Sequence, residues 1–177
     1  MSKVPKDESK EKKEGNLRAL KRMLVNVLTM LVILWAGFTF FIGVTAAKSD
    51  DMKPRIGEGD VLIYYRLDKN PVAQDVIVFT KNGTEYVGRV VAAGGDRVEI
   101  TKEAALIING NMVIEDGIYY STPPYEGFVE YPLTLAGDEY FVLADHREGG
   151  EDSRYFGPVK QEEIKGTVIG QFRRNGI

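Results

Sequence analysis

An uncharged, mostly apolar stretch of 25 residues, Met23–Ala47, constrains the fold of this chain more than any other feature. A helix needs roughly 20 residues to cross the hydrocarbon core of a bilayer. A helix on the surface of a soluble core carries its apolar residues on one face, whereas here they occur on every face. The stretch therefore predicts a transmembrane helix over residues 23–47 that is retained as an anchor.

The charges on either side of this stretch predict its orientation. Arg18, Lys21 and Arg22 directly precede it, and basic residues collect on the cytoplasmic side of a membrane. Residues 1–22 are then a cytoplasmic tail, predicted to be disordered over residues 1–15 because these are rich in Lys and Glu. The rest of the chain is an extracytoplasmic domain at the cell membrane. A cleavable signal peptide ending near Val44-Thr45-Ala46-Ala47 is the alternative.

Composition excludes several classes of function. Residues 48–177 hold fifteen Lys or Arg against twenty-two Asp or Glu, and so acidic a domain argues against nucleic acid as a partner. The chain has no cysteine and one histidine, which excludes disulfides and thiolate metal sites and leaves no recognisable set of metal ligands. No metal and no cofactor are expected.

Beyond Lys48 the sequence changes to short runs rich in Val, Ile, Tyr and Phe, which favour β-strands. Asn82-Gly83 and Asn109-Gly110 each separate two such runs, and Asn-Gly readily adopts the positive φ of tight hairpin turns. Three prolines between residues 123 and 132 mark a loop. With no repeat and no second linker, residues 48–177 are predicted to be one all-β domain, with strands at 60–67, 75–80, 85–91, 98–101, 106–108, 112–114, 140–143 and 167–172.

Four motifs follow the apolar stretch in order: Ser49-Asp50-Asp51-Met52-Lys53-Pro54, Gly59-Asp60-Val61, the run GRVVAAGGDRV from Gly88, and the run ADHREGGEDSRYFG from Ala144. In order and spacing they resemble the motifs of type I signal peptidases, membrane serine proteases that cut secretory leader peptides. The family's motifs read S-x-S-M-x-P, G-D-x-V, K-R-V-x-G-x-P-G-D-x-V and G-D-N-R-x-x-S-x-D-S-R-x-x-G. The resemblance implies an all-β fold, mainly antiparallel, with a signal peptidase I-like β domain and one N-terminal transmembrane α-helix.

The resemblance also implies that the catalytic residues are absent. Family members use a serine nucleophile and a desolvated lysine that removes its proton. These positions hold Asp51 and Gly88, and the serine that orients the lysine is replaced by Gly150. A carboxylate cannot act as an activated hydroxyl, and glycine has no side chain to accept a proton. We therefore expect the chain not to be an enzyme.

A binding cleft is what the resemblance leaves. Ser49 matches the oxyanion-hole serine of the family, and Asp51 could turn its own carboxylate toward that hole. The resemblance also implies that four charged residues of the fourth motif support the cleft by ion pairs: Asp145, Arg147, Asp152 and Arg154. The alternative is that this motif is a solvated acidic loop. The candidate cleft residues are Ser49, Asp50, Asp51, Met52, Pro54, Gly88, Asp145, Arg147, Asp152 and Arg154.

The sequence leaves two other catalytic arrangements open. Asp50 or Asp51 could share a proton with Asp145 or Asp152, as the two carboxylates of an aspartic protease do. Alternatively, His146 could form a triad with Asp145 and Ser153, although a triad is defined by geometry rather than by adjacency in sequence. Either arrangement would make the chain a divergent active peptidase without the Ser–Lys pair.

Asp51 and Gly88 together are typical of signal peptidase-like proteins of the SipA/LepA type, encoded beside pilins and sortases in Gram-positive bacteria, streptococci among them. This resemblance implies a membrane-bound accessory factor or chaperone in sortase-dependent pilus polymerisation, with the pilin backbone subunit, the pilus sortase or both as partners. We hypothesise that Gly88 opens space beside an unpartnered Asp51, whose carboxylate receives a pilin lysine. The alternative is that Asp51 only marks an unused site.

Overall fold

The structure, a computed structural model, describes residues 8–115, 117–118 and 120–173. The chain divides into two compact units, Met1–Phe40 and Phe41–Ile177. The first unit contains an N-terminal helix and the second is a β domain. The predicted fold class, mainly antiparallel β-sheet with one N-terminal apolar helix, is confirmed.

Helix α1 comprises Glu8–Phe41. Its first turns are rich in Lys, Glu and Leu, which are good helix formers, and Glu14 pairs with Arg18 one turn later (3.5 Å). The predicted disorder is therefore wrong for residues 8–15, while residues 1–7 lie outside the described residues. The part Lys12–Phe41 is long and apolar enough to cross a membrane, which is compatible with a single-pass anchor.

The end of the predicted transmembrane segment is corrected by the structure. Helix α1 ends at Phe41, and Ile42–Ala46 form strand β1, antiparallel to β2 (Val61–Tyr65). Gly43 is a poor helix former, and two β-branched residues follow it. The ring of Tyr64 lies over Gly43, where a Cβ atom would come within 2.1 Å of a ring carbon. The segment 42–46 therefore belongs to the sheet and not to the helix.

The β domain contains eleven strands among the described residues. After β1 and β2 they are β3 Val76–Lys81, β4 Thr84–Ala93, β5 Arg97–Ile100, β6 Leu106–Ile108, β7 Asn111–Met112, β8 Leu133–Thr134, β9 Glu139–Leu143, β10 Val159–Lys160 and β11 Ile164–Phe172. A short helix, α2 (Ser153–Phe156), lies between β9 and β10, and a 3-10 turn (Gln161–Glu163) lies between β10 and β11. The strands form a seven-stranded sheet, β1-β2-β11-β3-β4-β9-β10, and a four-stranded sheet, β7-β6-β5-β8.

Both predicted hairpin turns are confirmed. Asn82 and Gly83 have φ values of 51° and 80°, and Asn109 and Gly110 have values of 53° and 82°. Every predicted strand is present, 106–108 with the predicted bounds and the others with shifted ends, whereas β1, β8 and β10 were not predicted. Strands β8 and β10 are two residues long, too short for an alternating pattern to show.

Three clusters of buried apolar side chains stabilise the domain. The first joins the two sheets through residues such as Val98 and Phe141, and the second packs on one face of the large sheet around Phe79 and Val142. The third consists of Ala47, Met52, Ile56 and Leu62. It fixes the segment that carries Asp51.

Candidate functional site

Asp51 lies in a turn segment between β1 and β2 that is fixed from both sides. The neighbouring Met52 side chain is only 2% exposed, so it anchors the segment to the core. The N–H of Ile56 donates to the carbonyl of Met52 (2.9 Å), and the N–H of His146 donates to the carbonyl of Asp51 (2.8 Å). Asp51 is thereby held against the loop that follows β9 and carries the fourth motif.

The Asp51 carboxylate turns toward Ser49. The Ser49 hydroxyl donates a hydrogen bond of 2.6 Å to Oδ2 of Asp51. This confirms the expected direction of the carboxylate, and the hydroxyl that could stabilise a negatively charged oxygen of a substrate is already engaged. Asp51 is therefore not the unpartnered anion of the sequence-based hypothesis, because Ser49 supplies a donor.

The structure brings Gly150 next to Asp51. A Cβ atom on Gly150 would lie 3.5 Å from the Cβ of Asp51 but only 2.3 Å from the Cβ of Ala144. A side chain at position 150 would therefore fit only if Ala144 moved. Positions 51 and 150 are adjacent, as two members of one network should be, but Ala144 occupies the room that a side chain at position 150 would need.

Gly88 lies on β4 and is buried. A Cβ atom at this position would lie 2.6 Å from Cγ1 of Val142 and 3.5 Å from the ring of Phe79. The expectation that Gly88 opens space for a cation beside Asp51 is wrong, because the Val142 side chain fills that space. A lysine at position 88 would need Val142 to move before it could approach Asp51.

Three buried arginines pair with carboxylates around this centre. Arg89 donates two hydrogen bonds to Asp145 (2.7 and 2.6 Å), and Arg154 donates two to Asp152 (2.9 and 2.7 Å). The hydrogen bonds to Asp145 raise the pKa of Arg89. We call the three pairs the arginine frame: Arg89–Asp145, Arg154–Asp152 and Arg147–Glu115.

The arginine frame shows that the four charged candidates of the fourth motif are buried and paired. Arg147 donates to Glu115 and to the carbonyl of Ala144, each at 2.6 Å. All four candidates are buried, so the alternative of a solvated acidic loop is wrong for Asp145, Arg147, Asp152 and Arg154. The implied ion pairs are present.

Neither alternative catalytic arrangement is assembled. Asp145 and Asp152 each pair with an arginine, so neither is placed to share a proton with Asp51. The Ser153 hydroxyl accepts a hydrogen bond from the N–H of Val142 (3.0 Å). The His146 ring packs edge-on against Tyr120 at 4.8 Å, and Asp145 is engaged elsewhere, so the triad does not form.

A cleft of about 370 Å³ opens beside Asp51. Of the candidate cleft residues, Ser49, Asp51 and Met52 line it. Asp50 instead pairs with Lys53 (2.7 Å), and Pro54 is exposed in the turn. Gly88 and the four charged candidates belong to the structure around the cleft rather than to its lining.

Two strand edges border this cleft without a strand partner among the described residues. Strand β1 is the first strand of the large sheet and pairs only with β2. The part of β4 before Arg89 pairs only with β3, because pairing with β9 begins at Arg89. Sequence reasoning missed β1 as a rim of the cleft, although Gly43 followed by two β-branched residues was a usable signal.

Other cleft residues were also missed by sequence reasoning. Tyr86 donates a hydrogen bond to Glu151 (2.9 Å). The pKa of Tyr86 is raised, mainly by burial and secondly by this hydrogen bond. Glu85 accepts a hydrogen bond from Thr45 (2.6 Å) on β1. These contacts join segments 40 and 65 residues apart, so no spacing in the sequence indicates them.

Comparison with known proteins extends this picture. Residues 20–172 match the family described as signal peptidase, peptidase S26. The chain is 30% identical to the probable signal peptidase I-2 of Synechocystis sp., over 93% of this chain and 79% of that protein. It is 26% identical to signal peptidase IB of Staphylococcus aureus, over 88% of this chain and 90% of that protein. A crystal structure of a signal peptidase I from Enterococcus faecalis V583 is 31% identical, covers 58% of this chain and 99% of that chain, and has a TM-score of 0.47.

The family match extends over most of the chain. It begins within helix α1, continues through the Asp51 segment and the arginine frame, and ends with strand β11. The chain therefore belongs to the signal peptidase family, peptidase S26.

Proposed function

We propose that this chain is a non-catalytic signal peptidase homologue that binds peptide without cleaving it. The observation that carries the proposal is the Asp51 carboxylate, which stands at the nucleophile position and accepts a hydrogen bond from Ser49. Acyl transfer by a serine peptidase needs an activated hydroxyl and a base near it. Position 51 offers no hydroxyl, and Gly88, which faces Val142, offers no base.

The two free strand edges offer a mode of binding that needs no nucleophile. An extended peptide can add to an exposed edge as a further strand, so that main-chain hydrogen bonds supply affinity. The outer edge of β1 and the first half of β4 both border the cleft. A peptide bound along either edge would pass Asp51.

In the cell, we assign the chain an accessory or chaperone role in sortase-dependent pilus polymerisation. The support is the combination of Asp51 and Gly88, which is typical of the SipA/LepA type. The partners are then the pilin backbone subunit, the pilus sortase or both. The basic residues before the apolar part of α1 favour a cytoplasmic N-terminus and an extracytoplasmic β domain, where secreted pilin meets sortase.

The absence of cleavage is tested on the purified full-length protein in detergent micelles. The protein is incubated with a peptide that spans the pilin leader and its cleavage site, and the products are analysed by mass spectrometry. An active signal peptidase is the positive control and Asp51→Ala the matched variant. We expect intact peptide with both forms of this chain. Cleavage that disappears in Asp51→Ala would favour the divergent peptidase instead.

The role in assembly is tested by deleting the gene and following pilus polymers by immunoblot. We expect the polymer ladder to be lost and to return when the full-length chain is supplied from a plasmid. The polymer is also probed for the chain itself, because stable incorporation would identify a structural component of the pilus base. Unchanged polymerisation after deletion would contradict the accessory role.

A further inference from the structure

Glu85 lies where strands β1, β4 and β11 contact one another through side chains, and it has no role in the proposed function. It is the second residue of β4, and its side chain is 16% exposed. Glu85 lines the cleft beside Asp51, and it also lines a second, polar cavity of about 590 Å³. One half-buried carboxylate thus belongs to the lining of both cavities.

The Glu85 carboxylate connects three separate segments. Its Oε1 atom accepts a hydrogen bond from the Thr45 hydroxyl on β1 (2.6 Å), and Lys48 lies 3.8 Å from the same oxygen. Its Oε2 atom accepts from Lys165 on β11. Burial by itself would raise the pKa of Glu85, but the hydrogen bonds from Lys165 and Thr45 outweigh it and lower the pKa, so the carboxylate is ionised at neutral pH.

The hydrogen bond between Thr45 and Glu85 joins the two strands that border the cleft, β1 and β4. Strands β1 and β4 are separated by β2, β11 and β3 in the sheet, so no backbone pairing joins them directly. A peptide strand paired on both sides needs its neighbours roughly 10 Å apart, twice the usual spacing of strands. Two side chains that meet head to head, a threonine and a glutamate, span a gap of that order.

We propose that Glu85 is the positioning residue of the cleft, and that its contacts with Thr45, Lys48 and Lys165 fix the separation of the two free strand edges. Loss of these contacts lets β1 move away from β4. We call the contacts of Glu85 with Thr45, Lys48 and Lys165 the clasp. That a peptide lies between the edges rests on the proposed function, whereas the clasp itself does not. The neighbouring Tyr86 adds a further contact at the cleft, because its hydroxyl bonds to Glu151 in the loop that follows β9.

Hydrogen exchange measured by mass spectrometry on the full-length protein in detergent micelles tests the clasp. Glu85→Ala and Thr45→Val should each raise the exchange rate of the amides in residues 43–47, by about tenfold for Glu85→Ala because a charge-assisted hydrogen bond is lost. Thr45→Ser keeps the hydroxyl and should exchange like the parent. Glu99→Gln removes a carboxylate from the small sheet and is the control for charge. If Glu85→Ala and Thr45→Val both leave this segment within about twofold of the parent, the clasp does not exist.

Binding of purified pilin backbone subunit to the same variants separates this inference from the proposed function. Weaker binding by Glu85→Ala but not by Glu99→Gln, together with faster exchange, supports both. Faster exchange with unchanged pilin affinity leaves the clasp standing and shows that pilin does not use the cleft. Far-UV circular dichroism of each variant establishes that the sheet is intact, and Thr45→Val keeps the test valid if Glu85→Ala fails to fold.

Discussion

The Asp51 centre and the arginine frame lie side by side and differ in what they contain. At the centre, a half-buried carboxylate bonds to a serine, and Gly88 and Gly150 leave no side chains to act with it. In the frame, each buried arginine pairs with a carboxylate at 2.6 or 2.7 Å. The centre therefore has no serine at position 51 and no lysine at position 88, whereas each of the three arginines of the frame has its carboxylate partner.

The two regions differ because substitutions in them lower the stability of the fold by different amounts. Removal of one member of a buried ion pair leaves an uncompensated charge and costs about 3–5 kcal/mol, which is a large part of the stability of a domain. Replacement of a half-exposed side chain usually costs about 0.5 kcal/mol or less. The centre can therefore change without loss of the fold, whereas the frame cannot.

The largest effect is expected from Asp145→Ala, which leaves Arg89 charged and buried without its partner. The free energy of unfolding should fall by about 3–5 kcal/mol. Urea-induced unfolding of the full-length protein in micelles, followed by circular dichroism, measures the change. Asp138→Ala, at an exposed position, should change it by less than about 0.5 kcal/mol.

A double variant sharpens this test of the frame. Arg89→Met with Asp145→Leu leaves no buried charge and should lose less stability than Asp145→Ala alone. If Asp145→Ala costs less than about 1 kcal/mol, as surface ion pairs do, the frame and the centre would not differ as we infer.

The next effect is expected from Gly88→Lys, which tests whether the centre can accept the missing base. The new Cβ atom would lie 2.6 Å from Cγ1 of Val142, so the variant should lose about 1–3 kcal/mol of stability. Val142→Ala in the same chain should recover part of that loss. Full stability of Gly88→Lys alone would show that the space is open after all.

Restoring all three residues should not restore cleavage. Asp51→Ser, Gly88→Lys and Gly150→Ser together place a serine and a lysine where Val142 and Ala144 fill the space. We expect no cleavage of a pilin leader peptide by mass spectrometry. Cleavage by the triple variant would mean that the centre differs from active relatives only in its side chains.

A smaller effect is expected from acid. Because the pKa of Glu85 is lowered in the folded protein, its ion pairs add stability above the pKa of an unfolded glutamate, and this stability is lost as the pH falls through the folded pKa. The parent should lose up to about 1 kcal/mol more than Glu85→Gln between roughly pH 5 and pH 3. Urea unfolding at several pH values measures the difference, and parallel curves for the two proteins would contradict it.

The smallest effect is expected from Asp51→Asn. The Ser49 hydroxyl can still donate to the amide oxygen, so stability should change by less than about 0.5 kcal/mol and the affinity for pilin should be unchanged. Calorimetric titration with purified pilin measures the affinity. A clear loss of affinity would instead support the hypothesis that Asp51 receives a lysine of the pilin.

Much of the local structure could be predicted from the sequence because its signals are local. Asn82-Gly83 and Asn109-Gly110 require positive φ, and the alternating runs between them form the expected strands. The apolar stretch predicted α1 but not its end, because Ile42–Ala46 is as apolar as the helix before it. Pairing of this segment with β2 outweighs its position after a long helix.

The sequence by itself determined which side chains are present: Asp51, Gly88 and Gly150 supply neither a hydroxyl nor an amine at these three positions in any arrangement of the chain. Only the tertiary structure decided what surrounds these positions. It fills the space beside Gly88 with Val142, bonds Asp51 to Ser49 and joins β1 to β4 through Glu85. The physical reason is that residue identity limits chemistry directly, whereas contacts between distant segments depend on strand order and register, which no local pattern encodes.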